Sequence, residues 1–189
     1  MNVGVFAIDP GGATGLAWGI FDTSHPLLGQ VIEEREFSAS HTVEGSYEEQ
    51  THVICRLWRE FFKDCTNGHH LDPEEEVQMA CEDFTPRGAI RGESMAISLK
   101  LIGAITGYRM GTIAEWERNN NGPAWMPVMH MQTAGEAAQL MPDKRLKEVG
   151  WWSVGKEHER SAYRHLAVRL EKIRKVEKVR ARTRGQRQG

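Results

Sequence analysis

The feature that most constrains the fold is an apolar run near the start of the chain that stops at an acid. Residues Val3 to Asp9 read VGVFAID, which has the length and composition of one buried strand. Such a run suits a central strand that is covered on both faces. The turn formers Pro-Gly-Gly follow at 10–12, and Thr14 to Phe21 (TGLAWGIF) then predicts a second strand that returns beside the first as a hairpin.

The rest of the chain alternates between strand and helix patterns. Residues 30–38 predict a third, more exposed strand, and residues 46–64 carry apolar side chains at helical spacing. Strands are further predicted over 77–84 and 127–132, and helices over 94–111 (with Ser94 as N-cap), 133–140, 144–149 and 156–180. This succession is that of an α/β RNase H-like fold, a mixed five-stranded sheet flanked by helices. We expect one domain over residues 1–170 and a basic helix extension and tail over 171–189.

The composition fits a globular protein of the cell interior. Of the 189 residues, 40% are apolar and 26% are charged, which is ordinary for a globular chain. Three cysteines without a C-x-x-C pattern argue against a disulfide framework or a zinc site. No apolar run approaches the roughly 20 residues of a membrane span, and the first residues lack the pattern of a signal peptide. We therefore expect a soluble cytoplasmic protein (in the host cytoplasm if a phage encodes it) that has no membrane partner.

Two of the predicted strands end in carboxylates, at Asp9 and at Glu82. A carboxylate at the end of a buried strand has a fixed backbone, and rigid placement is what a metal ligand needs. Because side chains alternate along a strand, Glu82 and Asp83 point to opposite faces, so at most one of them joins Asp9. A structural interpretation stays open at this point, in which Asp9 caps the Pro-Gly turn and the later acids lead into a loop.

The motifs around these acids resemble those of RuvC-like Holliday junction resolvases of the RNase H-like superfamily, and of the bacteriophage-type branch in particular. IDPGGATGLAWG is similar to the family's first strand, turn and second strand, where Asp-Pro-Gly precedes two variable positions and then Thr-Gly. CEDFTPR resembles the family's second acidic strand. DKRLKEVGWWSVGKEHERSAYRHLAVRL resembles its C-terminal segment, where His-x-x-Asp-Ala leads to Arg-His on the last helix. The resemblance covers about Val3 to Leu170.

This resemblance implies a metal-dependent, structure-selective endonuclease that hydrolyses phosphodiester bonds in branched DNA. The family's acids hold two Mg²⁺ or Mn²⁺ ions, and two cations roughly 3.5–4 Å apart can activate a water and stabilise the leaving oxygen. By this resemblance Asp9 would bridge both ions, Glu82 would hold one, and His158 would match the family's histidine. The resemblance also implies a homodimer whose partner is branched or duplex DNA.

The chain departs from this family at Ser161, where HERSAYRH has a hydroxyl in place of an aspartate. The site then lacks one negative ligand. Glu157 lies one helical turn earlier and could reach the site, because residues four apart share a helix face, whereas Glu159 should point elsewhere. His165 is expected to be structural. A second hypothesis therefore stays open, in which a catalytically weakened or inactive protein binds branched DNA on the same fold.

The nucleic-acid surface is predicted from the distribution of charge. From Arg164 onward, lysines and arginines far outnumber the glutamates, which favours salt-sensitive phosphate contacts that do not depend on base sequence. The predicted contact residues are Arg87 and Arg91 in the loop after Glu82, and Arg174, Lys175, Lys178, Arg180 and Arg182 in the tail. The alternative for the tail is a solubilising extension. The pair Trp151-Trp152 could stack on bases, but such pairs are more often part of the packing.

A third class of protein has a similar opening. ATPases of the actin and sugar-kinase superfamily also begin with an Asp-x-Gly turn and a threonine on a hairpin. These enzymes need two RNase H-like domains, and we expect a chain of 189 residues to hold only one. The length therefore favours the nuclease and DNA-binding hypotheses over the ATPase.

Overall fold

Among the residues described, five strands form one mixed sheet. The computed structural model describes residues 1–24, 37–73, 75–83, 93–120, 128–152 and 154–186. The strands are β1 (Asn2–Asp9), β2 (Thr14–Asp22), β3 (Phe37–Val43), β4 (Val77–Glu82) and β5 (Met129–Gln132). Their order in the sheet is β3-β2-β1-β4-β5. β2 is antiparallel to β1 and β3, whereas β4 is parallel to β1 and β5.

Helices flank this sheet. They are α1 (Tyr47–Lys63), α2 (Glu93–Asn120), α3 (Ala134–Leu140), α4 (Asp143–Glu148) and α5 (Glu157–Gln186), and a π-helical turn over Asp64–Gly68 extends α1. None of the helices in the described part of the chain is long and apolar enough to cross a membrane. The element order and the mixed sheet confirm the predicted α/β fold of the RNase H-like type.

The alternation of side chains along β1 divides the core into two layers. Val3, Val5 and Ala7 pack with residues of α5 on one face of the sheet. Phe6 and Ile8 pack with residues of α1 and α2 on the other face. β1 is therefore a central strand that is covered on both sides, as its unbroken apolar run predicts.

Several element boundaries differ from those predicted. The third strand predicted over 30–38 lies outside the described residues except for its last two positions, and β3 continues to Val43. Ser94 lies inside α2 rather than before it, and that helix passes Gly111 and ends at Asn120. α5 runs without a break through residue 170, and Ile173 belongs to the core.

Candidate metal centre

Asp9 ends β1, and the turn behind it is held by buried hydrogen bonds. The hydroxyl of Thr14 accepts a hydrogen bond from the Gly11 N–H at 3.4 Å and donates one to the side-chain oxygen of Gln50 at 2.6 Å. The side-chain amide of Gln50 donates to the Gly12 carbonyl at 2.9 Å. Thr14 and Gln50 are fully buried, so water does not compete for these bonds. The backbone that carries Asp9 is therefore fixed to α1, as a ligand position requires.

The first turn of α5 lies directly on the sheet beside Asp9. Gly15 is the partner of Asp9 across the β1–β2 ladder. It approaches the backbone of α5 so closely that a Cβ at this position would lie 1.9 Å from the His158 carbonyl oxygen. Glycine permits this contact because it has no Cβ. As a result, His158 in the first turn of α5 lies within reach of the carboxylate of Asp9.

A buried carboxylate attaches the same helix end to β3. Glu159 is 3% exposed, and its side-chain oxygens accept hydrogen bonds from Ser40 at 2.5 Å and Thr42 at 3.1 Å. The ammonium of Lys156 lies 3.0 Å from the same carboxylate. Glu159 thus points away from Asp9, as predicted, and helps to set the position of α5 on the sheet.

Two carboxylates and one imidazole meet where β1 and β4 end. Asp9 and Glu82 close adjacent parallel strands, whose carboxyl ends lie at the same edge of the sheet. His165 of α5 is fully buried, and its Nε2 lies 3.2 Å from Glu82 Oε2. One ligand atom from each of the three residues lies within 4.8 Å of the others. The side chains of Asp9 and Glu82 are 12% and 19% exposed, so solvent reaches this cluster through the carboxylates.

His158 contacts the cluster from its open side. Its Nδ1 lies 3.2 Å from Asp9 Oδ2, and its side chain is 46% exposed. The hydrogen bond with Asp9 raises the pKa of His158 above its ordinary value, against the opposing effect of burial. Asp9 therefore stands between a partly exposed histidine and a buried cluster.

The electrostatics of the two carboxylates suit a cation. Burial raises the pKa of Asp9 to about 6; the hydrogen bond from His158 lowers it, and the neighbouring Glu82 raises it. Burial also acts to raise the pKa of Glu82, but hydrogen bonds from His165 and Asp9 outweigh this and hold that pKa below its usual value. Two buried carboxylates this close cannot both carry an uncompensated charge. Carboxylate oxygens fit Mg²⁺, and the added imidazole nitrogen suits Mn²⁺, so the residues present fit the implied metal.

His165 also contacts the end of the next strand. Its Nδ1 lies 3.2 Å from the side-chain oxygen of Gln132, the last residue of β5. Gln132 is 2% exposed and pairs in register with Glu82 across the β4–β5 ladder. The three parallel strands β1, β4 and β5 therefore each end in a polar side chain at this edge.

Sequence reasoning assigns His165 a structural role and gives Gln132 none, yet the structure places His165 against Glu82 and Gln132 against His165. The spacing of the histidines in the sequence could have indicated that His165 faces the site. His158 and His165 are seven residues apart, which is about two helical turns, so both face the same strand ends. Gln132 leaves no comparable signal, because its place depends on the pairing of β5 with β4.

Two other residues of α5, Glu157 and Ser161, were predicted to belong to the site, and they differ in their exposure to solvent. Glu157 is 84% exposed, and its Oε1 lies 3.8 Å from Arg160 Nη2, so this carboxylate extends into solvent. Ser161 is partly buried and follows His158 by one helical turn, with His165 one turn further on. The residues on the face toward the cluster are therefore two histidines with the serine between them.

The predicted DNA-contacting residues of the tail lie far along α5 from the cluster. Arg87 and Arg91 fall outside the described residues. At about 1.5 Å per residue, the tail positions lie roughly 14 to 26 Å along the helix from His165. The helix crosses the sheet on the way, because Arg169 donates a hydrogen bond at 2.7 Å to Gln78 near the start of β4. The positions beyond it are partly buried Arg174 and exposed Lys175, Lys178, Arg180 and Arg182.

Acidic residues accompany these basic ones at the far edge of the sheet. Arg174 and Lys175 lie 3.0 and 4.0 Å from the carboxylate of Glu171, and Arg180 lies 4.0 Å from Glu75. A groove of about 470 Å³ at this edge has a lining of mixed charge. The helix is therefore less uniformly positive than its sequence suggests.

The tryptophan pair belongs to the packing. Trp151 is 2% exposed and stacks on Tyr163, with ring centroids 5.0 Å apart. Trp152 is partly buried, and Lys147 and Arg160 lie over its ring at 4.6 and 4.4 Å. Trp151 cannot stack on a base without leaving the core, which favours the packing interpretation.

Comparisons with known proteins give a similarity of overall structure. No protein-family model matches the chain, and no curated protein matches it. Two solved structures of Thermus thermophilus RuvC are similar to it, one described as a complex with Holliday junction substrate, with TM-scores of 0.48 and 0.49. Both are 11% identical, and the similarity covers 87% of this chain and 90% and 92% of theirs. Similarity at this level says nothing about chemistry, which depends on the residues described above.

Proposed function

We propose that the chain is a metal-dependent endonuclease that hydrolyses phosphodiester bonds in branched DNA, similar in kind to the RuvC-like resolvases. The observation that carries this proposal is the cluster of Asp9, Glu82 and His165, with ligand atoms within 4.8 Å of one another at the ends of two parallel strands. Mg²⁺ or Mn²⁺ is the cofactor that this donor set fits best.

The residues of the cluster have separable roles in this proposal. Asp9 and Glu82 hold the cation, and His165 adds a nitrogen donor. When bound, a divalent cation supplies positive charge to the phosphodiester oxygens that become more negative during cleavage. His158 is oriented by Asp9 and is nearly half exposed, so it can exchange a proton with a bound substrate or with water.

A second candidate is a protein that binds branched DNA without cutting it efficiently. Ser161 supports this candidate because a hydroxyl brings no charge to the position where the resembled family has an acid. Glu157 does not compensate in the described conformation, since its carboxylate is directed to solvent. A second cation would therefore be held by fewer negative ligands than the first.

Cleavage of a labelled four-way junction separates the two candidates. The assay compares Mg²⁺ with Mn²⁺ and uses wild type, Asp9→Asn and Glu157→Gln proteins at equal DNA occupancy. The nuclease proposal expects cleavage by the wild type that is stronger in Mn²⁺, abolished by Asp9→Asn and unaffected by Glu157→Gln. Tight junction binding without cleavage in either metal would favour the binding protein, and loss of activity in Glu157→Gln would place that carboxylate in the site.

The proposal extends to the partners of the protein. We propose that the exposed basic residues of α5 contact DNA phosphates, because Lys and Arg on one helix favour such contacts independently of base sequence. We also propose a homodimer, which the resemblance to the resolvases implies. Sedimentation of the protein alone and with a junction tests this, and a monomer in both states would contradict it.

A further inference from the structure

Gln132 is a buried polar residue whose side chain, among the residues described, hydrogen-bonds to His165 of the proposed metal centre. It ends β5 beside Glu82, is 2% exposed, and its Oε1 lies 3.2 Å from His165 Nδ1. Its amide Nε2 has no hydrogen-bond partner among the residues that the structure describes. A buried amide group whose oxygen is hydrogen-bonded but whose nitrogen is not costs free energy of folding. The contact with His165 is therefore the feature that accounts for a glutamine at this position.

This contact determines what the other nitrogen of His165 can do. A neutral imidazole has one N–H donor and one acceptor nitrogen, and a side-chain carbonyl oxygen can only accept. With Oε1 of Gln132 against Nδ1, a hydrogen lies on Nδ1, so Nε2 is the ring nitrogen that can offer a lone pair. Nε2 lies 3.2 Å from Oε2 of Glu82, to which it can donate a hydrogen, and a cation bound there would take the place of that hydrogen. The carboxylate of Asp9 is within the same cluster.

We propose that Gln132 is a positioning residue, which holds His165 in the Nδ1–H form so that Nε2 serves as the nitrogen donor to a cation on Asp9 and Glu82. This inference rests on the proposed metal centre and deepens it. Histidines that bind metals generally donate their other ring N–H to an oxygen acceptor, which fixes both the tautomer and the ring orientation. Gln132 supplies that acceptor from the third parallel strand.

The opposite orientation of the amide has a different consequence. If Nε2 of Gln132 donated to His165 Nδ1, the ring hydrogen would lie on Nε2 and would be donated to Glu82. His165 would then be a structural hydrogen-bond donor and not a metal ligand. The two arrangements differ in which ring nitrogen carries hydrogen, and that difference can be measured directly.

Mn²⁺ affinity, measured by the EPR signal of the free ion, tests the positioning role. Gln132→Met keeps the volume and removes the acceptor, and we expect about a 10- to 100-fold weaker affinity. Gln132→Glu keeps an acceptor at the same place and should bind Mn²⁺ as tightly as the wild type or more tightly. The matched control is Gln78→Met, because Gln78 also joins a parallel strand to α5, through Arg169, but lies at the other end of β4. It should bind Mn²⁺ like the wild type.

Nitrogen NMR of the histidine rings gives a readout that does not depend on the variants folding. In the wild-type protein loaded with diamagnetic Zn²⁺, the proposal expects hydrogen on Nδ1 of His165 and a metal-shifted Nε2. Hydrogen on Nε2 of His165 would overturn the inference and leave the proposed metal centre intact. The same conclusion would follow if Gln132→Met bound Mn²⁺ like the wild type while Asp9→Asn did not. Retained Mn²⁺ binding and tautomer without any DNA cleavage would overturn only the proposed nuclease function. A wild type that binds no Mn²⁺ would overturn both.

Discussion

A single methyl group at Gly15 tests whether the contact between β2 and α5 positions the residues of the proposed metal centre. In Gly15→Ala the new Cβ would lie 1.9 Å from the His158 carbonyl oxygen, 2.2 Å from its carbonyl carbon and 2.9 Å from the Glu159 nitrogen. All three are backbone atoms, so no side-chain rotation relieves the overlap. Because Cβ contacts below 3.0 Å essentially do not occur, strand and helix must separate by about 1.1 Å or more.

This displacement has two measurable effects. Forcing an extra methyl into a packed interface costs typically about 1–3 kcal/mol, and we expect a loss of that size in the free energy of unfolding. The contact of 3.2 Å between His158 and Asp9 would also lengthen beyond hydrogen-bond reach. A misplacement of about 1 Å in a catalytic group can cost roughly 100-fold in rate, so the junction-cleavage rate in Mn²⁺ should fall by about that factor.

Urea unfolding and junction cleavage of the same preparations measure both effects. The control is Gly103→Ala in α2, where a Cβ meets nothing within 4 Å. Alanine is the better helix former, so this control should be more stable by about 0.5–1 kcal/mol and should cleave like the wild type. If Gly15→Ala unfolds at the wild-type urea concentration and retains the wild-type rate, the close contact does not position His158 and the reasoning fails.

Four further predictions follow from the same structure. Ser161→Asp should raise the cleavage rate in Mg²⁺, and Asp9→Asn added to it should abolish both the background and the gain. Glu159→Ala should lower the free energy of unfolding in urea by about 1–3 kcal/mol, because two hydroxyls of β3 lose their acceptor. Trp151→Ala should lower it by about 3–5 kcal/mol and leave the DNA affinity of the folded protein unchanged. Replacing Lys175, Lys178 and Arg182 by glutamine should weaken binding to all DNA forms alike. The slope of log affinity against log salt concentration should become shallower by about 0.9 per lost phosphate contact.

The strands that end at Asp9 and Glu82 could be predicted because local sequence determines them, whereas the meeting of the two carboxylates is implied by the resemblance to the resolvases. The apolar runs that end at Asp9 and Glu82 specify buried strands, and parallel neighbours necessarily end at the same edge. The length of α2 was harder to predict from the sequence, because Gly111 resembles a glycine that ends a helix. Within a helix a glycine costs only about 1 kcal/mol relative to alanine, and the residues after it, which include Ala114, Glu115 and Glu117, favour helix and extend it.

The contact between Gln132 and His165 could not be predicted from the sequence, because it depends on tertiary structure. Gln132 reaches His165 only because β5 pairs with β4 and α5 crosses the same face, and neither fact follows from local spacing. Glu157 illustrates the converse case. Its four-residue spacing from Ser161 is correct for a shared helix face, but at the first turn of α5 the longer side chain extends into water and pairs with Arg160.

If α5 contacts DNA as proposed, its length has a consequence for the size of the DNA substrate. The helix carries His165 at one edge of the sheet and Arg180 beyond the other, about 22 Å away at 1.5 Å per residue. Since duplex DNA advances about 3.4 Å per base pair, a ligand that touches both ends must extend roughly six or seven base pairs from the scissile phosphate. Junctions with arms shorter than this should lose the tail's contribution to affinity while keeping their access to the metal centre.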